Sequence, residues 1–127
     1  IKVVLCEPGK VARVAEIGTE LSDLQRVVGG LIEPYYPFEE QVCIVCNDEG
    51  KYNGMRPCRA IYGEDREMMD IIFGPFFICD CSTPYFDSLN KEQLERYTKQ
   101  FQNPERFFRV GREIKAVPYK PEKDHER

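Results

Sequence analysis

The segment Asp70-Ile-Ile-Phe-Gly-Pro-Phe-Phe-Ile-Cys-Asp80 is the most apolar run of the chain and bears most directly on its fold. Its β-branched and aromatic residues are typical of β-strands. Gly74-Pro75 interrupts the run, and proline cannot donate the backbone hydrogen bond that a central strand requires. We therefore predict a bulge or an edge placement here rather than an unbroken central strand.

Strand patterns continue on both sides of this segment. Lys2–Cys6 and Val11–Ile17 are rich in β-branched residues and flank Pro8-Gly9, a pair that suits a type II turn with positive φ at Gly9. The chain is therefore predicted to start with a β-hairpin. Further strands are predicted at Leu31–Tyr36, Gln41–Asn47, Ala60–Tyr62 and Arg112–Pro118.

Two helices are predicted from apolar residues at helical spacing. The first covers about residues 20–28, with Thr19 as its N-cap and Gly29-Gly30 at its end. The second covers about 90–102, where Asn90 and Gln93 form a capping-box pattern.

Together these elements predict an α+β fold, an antiparallel sheet that starts with the N-terminal hairpin and carries both helices on one face. The 127 residues suffice for one core. We expect a single domain over residues 1–118 and a polar, mobile tail over 119–127.

The charge and hydropathy of the chain exclude several partners. A net charge of −4 argues against bulk nucleic-acid binding, which favours basic surfaces. No apolar run approaches the ~20 residues of a membrane span and no leader pattern is present, so we expect a cytosolic protein with no membrane partner. A local excess of cations could still attract a small anion. Its members are Arg96, Lys99, Arg106, Arg109, Arg112 and Lys115, against Glu105 and Glu113.

Six cysteines raise the question of a metal site or disulfides. Cys43 and Cys46 lie in a run of strand formers, where an offset of three residues places them on opposite faces. Cys79 and Cys81 would share a face. We expect structural, reduced cysteines, with zinc binding and disulfides as the less favoured alternatives.

Catalytic patterns are scarce. No phosphate-binding, dinucleotide-binding, metalloprotease or nucleophile-elbow motif is present, and the single histidine, His125, lies in the charged tail. The carboxylate pairs Asp48-Glu49 and Glu64-Asp65 could hold Mg²⁺ or act as acid and base, but both lie in hydrophilic connections typical of solvated charges. We expect a protein that is not an enzyme and has no catalytic residue, metal or cofactor.

Two basic segments are candidates for binding an anion. In Asn47–Tyr62, Asn53-Gly54 predicts a tight turn, and the nearby cations are either solvated or available to a phosphate. In Arg106–Arg112, arginines alternate with aromatic residues. Either the segment holds phosphates and stacks a base, or Phe107 and Phe108 are core anchors and the arginines extend to solvent. If the segments meet, they form a cationic pocket with aromatic walls. The candidate ligand-binding residues are Lys51, Asn53, Gly54, Arg56, Arg59, Arg109 and Arg112.

Several motifs resemble a family of small proteins from bacteriophages and other mobile elements that is catalogued only as a domain of unknown function. They span nearly the whole chain and are Lys2–Lys10 (KVVLCEPGK), Leu24–Glu33 (LQRVVGGLIE), Asn47–Gly54 (NDEGKYNG), Arg59-Ala60, Gly74-x-Phe-Phe-Ile78 and Pro104–Gly111 (PERFFRVG). Cys58 departs from the asparagine expected before Arg59. The resemblance implies an accessory protein of a phage or mobile element.

These observations predict a non-enzymatic accessory protein, with a counter-defence role, that binds and sequesters a phosphorylated nucleotide-like signal. The alternative is a protein–protein inhibitor of a host defence or restriction system that has no small-molecule pocket. Under either interpretation we expect a homo-oligomer, because the edge strands of a small sheet invite pairing.

Overall fold

The computed structural model describes residues 1–121. The part of the predicted tail that includes His125 lies outside this range. Within it the chain forms nine strands and two helices. They are β1 (Lys2–Cys6), β2 (Arg13–Glu16), α1 (Leu21–Val28), β3 (Ile32–Tyr35), β4 (Val42–Asn47), β5 (Pro57–Tyr62), β6 (Met68–Phe73), β7 (Phe76–Asp80), α2 (Lys91–Gln100), β8 (Glu105–Val110) and β9 (Glu113–Pro118).

The main sheet has five antiparallel strands in the order β2-β1-β7-β4-β3. It begins with the β1–β2 hairpin, whose turn is closed by the Lys10 N–H donating to the Glu7 carbonyl at 3.1 Å. Gly9 has φ +76°, as a type II turn requires at its third residue. The predicted α+β class, antiparallel sheet, N-terminal hairpin and two helices are confirmed.

The apolar run at 70–80 is divided between two sheets. Its second half, β7, is the central strand, because Ile78 pairs with Val4 on one side and with Ile44 on the other. Its first half belongs to β6, which pairs with β5 in a separate ribbon. The predicted bulge or edge placement is therefore wrong for β7. Gly74, at φ +83°, turns the chain from one sheet to the other, and Pro75 lies before the central strand begins.

The helices lie on opposite faces of the main sheet, which corrects the prediction that they share one. Leu24 and Val28 of α1 pack with Val3 and Phe77. On the other face Tyr97 of α2 belongs to the same cluster as Val4, Ile44 and Phe76, together with residues of β5 and β6. All six residues of β4 are buried, as expected for a strand covered on both sides.

The helix ends follow local rules with one exception. Asn90 accepts from the Gln93 N–H at 2.8 Å while the Gln93 side chain accepts from the Asn90 N–H at 3.0 Å, so the predicted capping box is confirmed. Gly29 ends α1 at φ +79°, also as predicted. The N-cap of α1 is Glu20 rather than Thr19, because the Glu20 N–H donates to the Asp23 carboxylate at N3.

Strands β8 and β9 form a hairpin apart from the main sheet, here called the arm (Glu105–Pro118). Phe107 is half-buried, but Phe108 is 51% exposed. Neither aromatic belongs to the two hydrophobic cores, so the interpretation of both as core anchors is wrong, although Phe107 is the better covered of the two. Tyr119 continues the pairing beyond the arm, since its N–H donates to the Pro104 carbonyl at 2.9 Å.

Candidate functional site

Two arginines from distant parts of the sequence lie around one tyrosine. The Arg106 guanidinium stacks on the Tyr119 ring, 4.3 Å from its centroid. The Arg56 guanidinium lies over Gly9, where a β-carbon would be 3.4 Å from Arg56 Nη2 and 3.7 Å from Tyr119 Oη. We call Gly9, Arg56, Arg106 and Tyr119 the Arg56–Arg106 cluster. Both arginines are exposed and Tyr119 is half-buried.

Local structure explains why these side chains meet. Gly9 is favoured because its φ is positive, and the Arg56 guanidinium packs at contact distance beside it. Arg106 lies opposite Val117 in the arm, so Tyr119, two residues further along, is on the same face of the hairpin. In the described chain neither arginine forms an ion pair with a carboxylate. Their donors are therefore open to an anionic partner.

Arg59 has a different environment, although the sequence grouped it with Arg56. It is 1% exposed, and each of its guanidinium nitrogens donates to a backbone carbonyl. The acceptors are Phe101 at 3.0 Å, Cys58 at 3.0 Å and Lys10 at 2.7 Å. The Phe101 carbonyl lies at the C-terminal end of α2, where the helix dipole favours a cation. Arg59 thus ties α2, β5 and the N-terminal turn together.

A cavity of about 300 Å³ lies beside Arg59, between β5, the end of α2 and the base of the arm. The carboxylate that lines this cavity is that of Glu105, which accepts a hydrogen bond from the Ala60 N–H at 2.7 Å. Burial raises the pKa of Glu105, while the Ala60 N–H and Arg59 act in the opposite direction. Arg59 and Glu105, two of the polar groups that line this cavity, thus hold the helix and the arm in place.

The Gly/Asn loop after β4 is organised from within. The Asn47 side chain donates to the Val28 carbonyl at 3.1 Å and accepts from the Glu49 N–H at 2.7 Å. Met55 fills the space left by two glycines, since a β-carbon would be 3.1 Å from its Cε at Gly29 and 2.5 Å from its Sδ at Gly74. The space beside Gly29 and Gly74 is therefore filled by Met55, a side chain of the loop itself.

The remaining predicted site residues do not join the cluster. Lys51, Asn53 and Gly54 are exposed in the loop, and Lys51 Nζ lies 5.7 Å from the centroid of the Phe73 ring. Arg109 is on the face of the arm opposite to Arg106, and Arg112 lies in the exposed turn at its tip. The four arginines of the sequence-based hypothesis, Arg56, Arg59, Arg109 and Arg112, thus do not meet at one point.

Three members of the cluster are absent from the ligand-binding residues predicted from the sequence. There Gly9 is only a turn residue, Tyr119 belongs to the predicted tail, and Arg106 is only one of the cations of its segment. The usable signal was the alternation of the arm, which places Arg106, Val117 and Tyr119 on one face.

Five of the six cysteines are buried and Cys81 is half-buried. Cys43 and Cys46 pack in the cores on opposite sides of the sheet, as their offset predicts. Burial raises the pKa of Cys6 and of Cys46 to about 12, so both thiols are protonated at neutral pH. Residues 1–121 contain no cluster of three or more side chains suited to a metal ion. Neither described helix has the length and apolarity needed to cross a bilayer.

Comparison with known proteins places the chain in a family. No curated protein and no solved structure matches it. The family match ends at residue 102, so the arm and Tyr119 lie beyond it, although the sequence resemblance was extended to Gly111. Because the family described as Domain of unknown function (DUF3846) matches residues 1–102, the chain belongs to that family.

Proposed function

We propose that this protein is a non-enzymatic binding protein that captures and sequesters a phosphorylated, nucleotide-like ligand at the Arg56–Arg106 cluster. One observation carries the proposal: Arg106 stacks on Tyr119, and the Tyr119 hydroxyl and the Arg56 guanidinium both lie close to Gly9. Two guanidinium groups without an ion pair among residues 1–121 favour an anion with several acceptor oxygens.

The chemistry of the cluster suits a phosphate. Guanidinium groups donate in a planar fork that matches phosphate oxygens, and such charge-assisted bonds are roughly twice as strong as neutral ones. The Tyr119 hydroxyl adds a donor, and its ring adds an aromatic surface next to the charge. The small size of Gly9 lets the Arg56 guanidinium and the Tyr119 hydroxyl lie close to the same turn.

Nearby charges support the same ligand class. Lys10 is exposed next to Gly9 in the β1–β2 turn and adds a third cation. The buried Arg59 donates to the Lys10 backbone carbonyl. Glu7, the carboxylate of this turn, is paired with Arg13 at 2.9 Å. The surroundings of the cluster are therefore positive in a chain whose net charge is −4.

The biological setting belongs to the same proposal. The resemblance to proteins of phages and mobile elements supports an accessory, counter-defence role in the host-cell cytosol, where removing a nucleotide signal would not require turnover. Family context alone does not establish function, so the proposal depends on the cluster and its ligand.

Thermal unfolding with a panel of cyclic and linear nucleotides tests the proposal. A ligand at 100 times its Kd stabilises the folded state by about 2.7 kcal/mol, which raises Tm by several degrees. The double variant Arg56→Gln/Arg106→Gln should lose this stabilisation. Arg109→Gln/Arg112→Gln, an equal change of charge away from the cluster, should retain it. Absence of stabilisation by every nucleotide, or equal loss in both variants, would refute the proposal.

A second candidate is an inhibitor that binds a defence or restriction protein directly. The exposed apolar side chains of the arm favour it, because apolar patches of this kind mark protein interfaces. Binding of a purified restriction subunit that persists after Arg56→Glu/Arg106→Glu and disappears after Phe108→Ser would support this candidate over nucleotide capture.

A further inference from the structure

The arm presents an uncovered apolar face. In its register Arg106 lies opposite Val117, Phe108 opposite Lys115 and Val110 opposite Glu113, so these six residues share one face. On that face Phe108, Val110 and Val117 are 51%, 58% and 49% exposed. The other face holds the half-buried residues Glu105, Phe107 and Ala116. At its base the Arg106 face meets the body through Tyr119, whose hydroxyl lies near Gly9, whereas from Phe108 to the tip this face is exposed to solvent.

Hairpin energetics indicate that this face needs a cover. A two-stranded hairpin is marginally stable in water unless it packs against another layer. Within residues 1–121 the outer half of the arm receives little such packing, since Val110 to Lys115 are all exposed. Three apolar side chains on one face of an exposed ribbon are typical of an interface.

The charges of the chain indicate which surface covers it. The arm carries four Lys and Arg against two Glu, whereas residues 1–104 carry eleven Lys and Arg against seventeen Asp and Glu. A basic arm on an acidic body is complementary to the body of a second copy.

One surface of the body matches the arm in both charge and polarity. Strand β6 and the turn before it contain four carboxylates and one arginine. They are Glu64, Asp65, Glu67 and Asp70, with Arg66. Beside them Met69 is 56% exposed, and a groove of about 400 Å³ is lined by four apolar side chains together with Asp70 and one cation, Lys51. The apolar residues are Met68, Met69, Ile71 and Phe73. The arm of the same chain contributes only Ile114 to this groove.

We propose that two copies of this protein associate by reciprocal arm exchange. The open face of each arm, with Phe108, Val110 and Val117, packs on the acidic methionine surface of β6 in the other copy. Arg112 then faces the carboxylates around Asp70, as does Lys115, which in the single chain is paired with Glu113 at 3.1 Å. A two-fold axis repeats the contact, so the association closes at a dimer. This inference does not depend on nucleotide binding.

Sedimentation equilibrium and light scattering of the full chain test the exchange. We expect a dimer for the wild type and a monomer for Phe108→Ser/Val110→Ser. Val14→Ser is the matched control, because Val14 is similarly exposed on β2 and lies outside the arm. It should remain dimeric. A monomeric wild type at every concentration, or a dimer that survives the arm substitutions, would overturn the proposal. Unchanged circular dichroism shows that each variant is folded.

A charge swap gives a sharper test. One chain carries Arg112→Glu/Lys115→Glu on the arm, and another carries Glu67→Lys/Asp70→Lys on the β6 surface. Each should be monomeric alone, because its arm and its surface have the same sign of charge. Their mixture should form a heterodimer, because both contacts then join opposite charges. A mixture that stays monomeric, or either variant dimerising alone, would contradict arm exchange. The readout is mass, so its failure leaves the nucleotide proposal untouched.

Discussion

At the scale of single residues, two arginines three positions apart have different roles. Arg56 is exposed beside Gly9, whereas Arg59 is buried and donates to three backbone carbonyls. Simple alternation does not explain the difference, because Arg56 precedes β5 and the register shifts between Pro57 and Arg59. Two of the three partners of Arg59, Lys10 and Phe101, are far away in sequence. The presence of cations in this loop was predictable, while their division into a structural and an exposed arginine depends on tertiary contacts.

Arg59→Met should destabilise the fold by about 3 kcal/mol, because it leaves three buried or partly buried carbonyls without their charged donor. Urea denaturation monitored by circular dichroism measures this loss. Arg56→Met is the control, and its effect should stay within about 0.5 kcal/mol because Arg56 is exposed. Equal losses for the two variants would show that the carbonyl contacts of Arg59 contribute little.

Glu105 should make stability depend on pH. Burial raises the folded-state pKa of Glu105 above its unfolded value, so the folded state binds more protons between the two pKa values. The contribution of Glu105 to the free energy of unfolding therefore falls as pH rises through that interval. The difference in unfolding free energy, wild type minus Glu105→Gln, should therefore be larger at pH 4 than at pH 7. Denaturant titrations at both pH values measure it, and the opposite slope would contradict the assignment.

At the scale of helices and strands, local chemistry was the most predictable part. The capping box of Asn90 and Gln93, the end of α1 at Gly29 and the turn at Gly9 each follow from side chains or φ preferences within a few residues. The placement of Phe76–Asp80 at the centre of the sheet was not predictable in this way. It depends on pairing with β1 and β4, which a local breaker such as Pro75 does not determine.

Asn90→Ala should cost about 1 kcal/mol of unfolding free energy, since it removes the side-chain acceptor of the Gln93 N–H. Thr19→Ala is the matched control, because Thr19 precedes the true N-cap of α1 and should cost less than about 0.5 kcal/mol. Thermal and urea unfolding of both variants provide the comparison. A larger loss at Thr19 would mean that the start of α1 is wrongly placed.

At the scale of the whole molecule, the Arg56–Arg106 cluster joins residues inside the family match to residues beyond it. Gly9 and Arg56 belong to the region that matches the family, whereas Arg106 and Tyr119 lie beyond residue 102. The sequence suggested that arginines from both parts converge. Which ones do so could not be predicted, because the position of the arm depends on tertiary contacts such as the Ala60 N–H donating to Glu105.

Nucleotide affinity should fall as salt concentration rises, because the proposed contacts are exposed ion pairs that counterions screen within about 10 Å at 0.1 M ionic strength. Calorimetric titrations over a series of salt concentrations measure the slope. Arg106→Gln should reduce the slope and Arg112→Gln should leave it unchanged. Affinity independent of salt would exclude guanidinium–phosphate contacts as its source.

Arginine side-chain NMR tests the proposed site most directly. The Nε–Hε resonances of Arg56 and Arg106, identified from their absence in Arg56→Gln and Arg106→Gln, are followed while the most stabilising nucleotide is added to ¹⁵N-labelled protein. We predict that both resonances shift together and saturate at one affinity, while those of Arg109 and Arg112 stay in place. Saturation of the protein with neither Arg56 nor Arg106 shifting would contradict capture at this cluster.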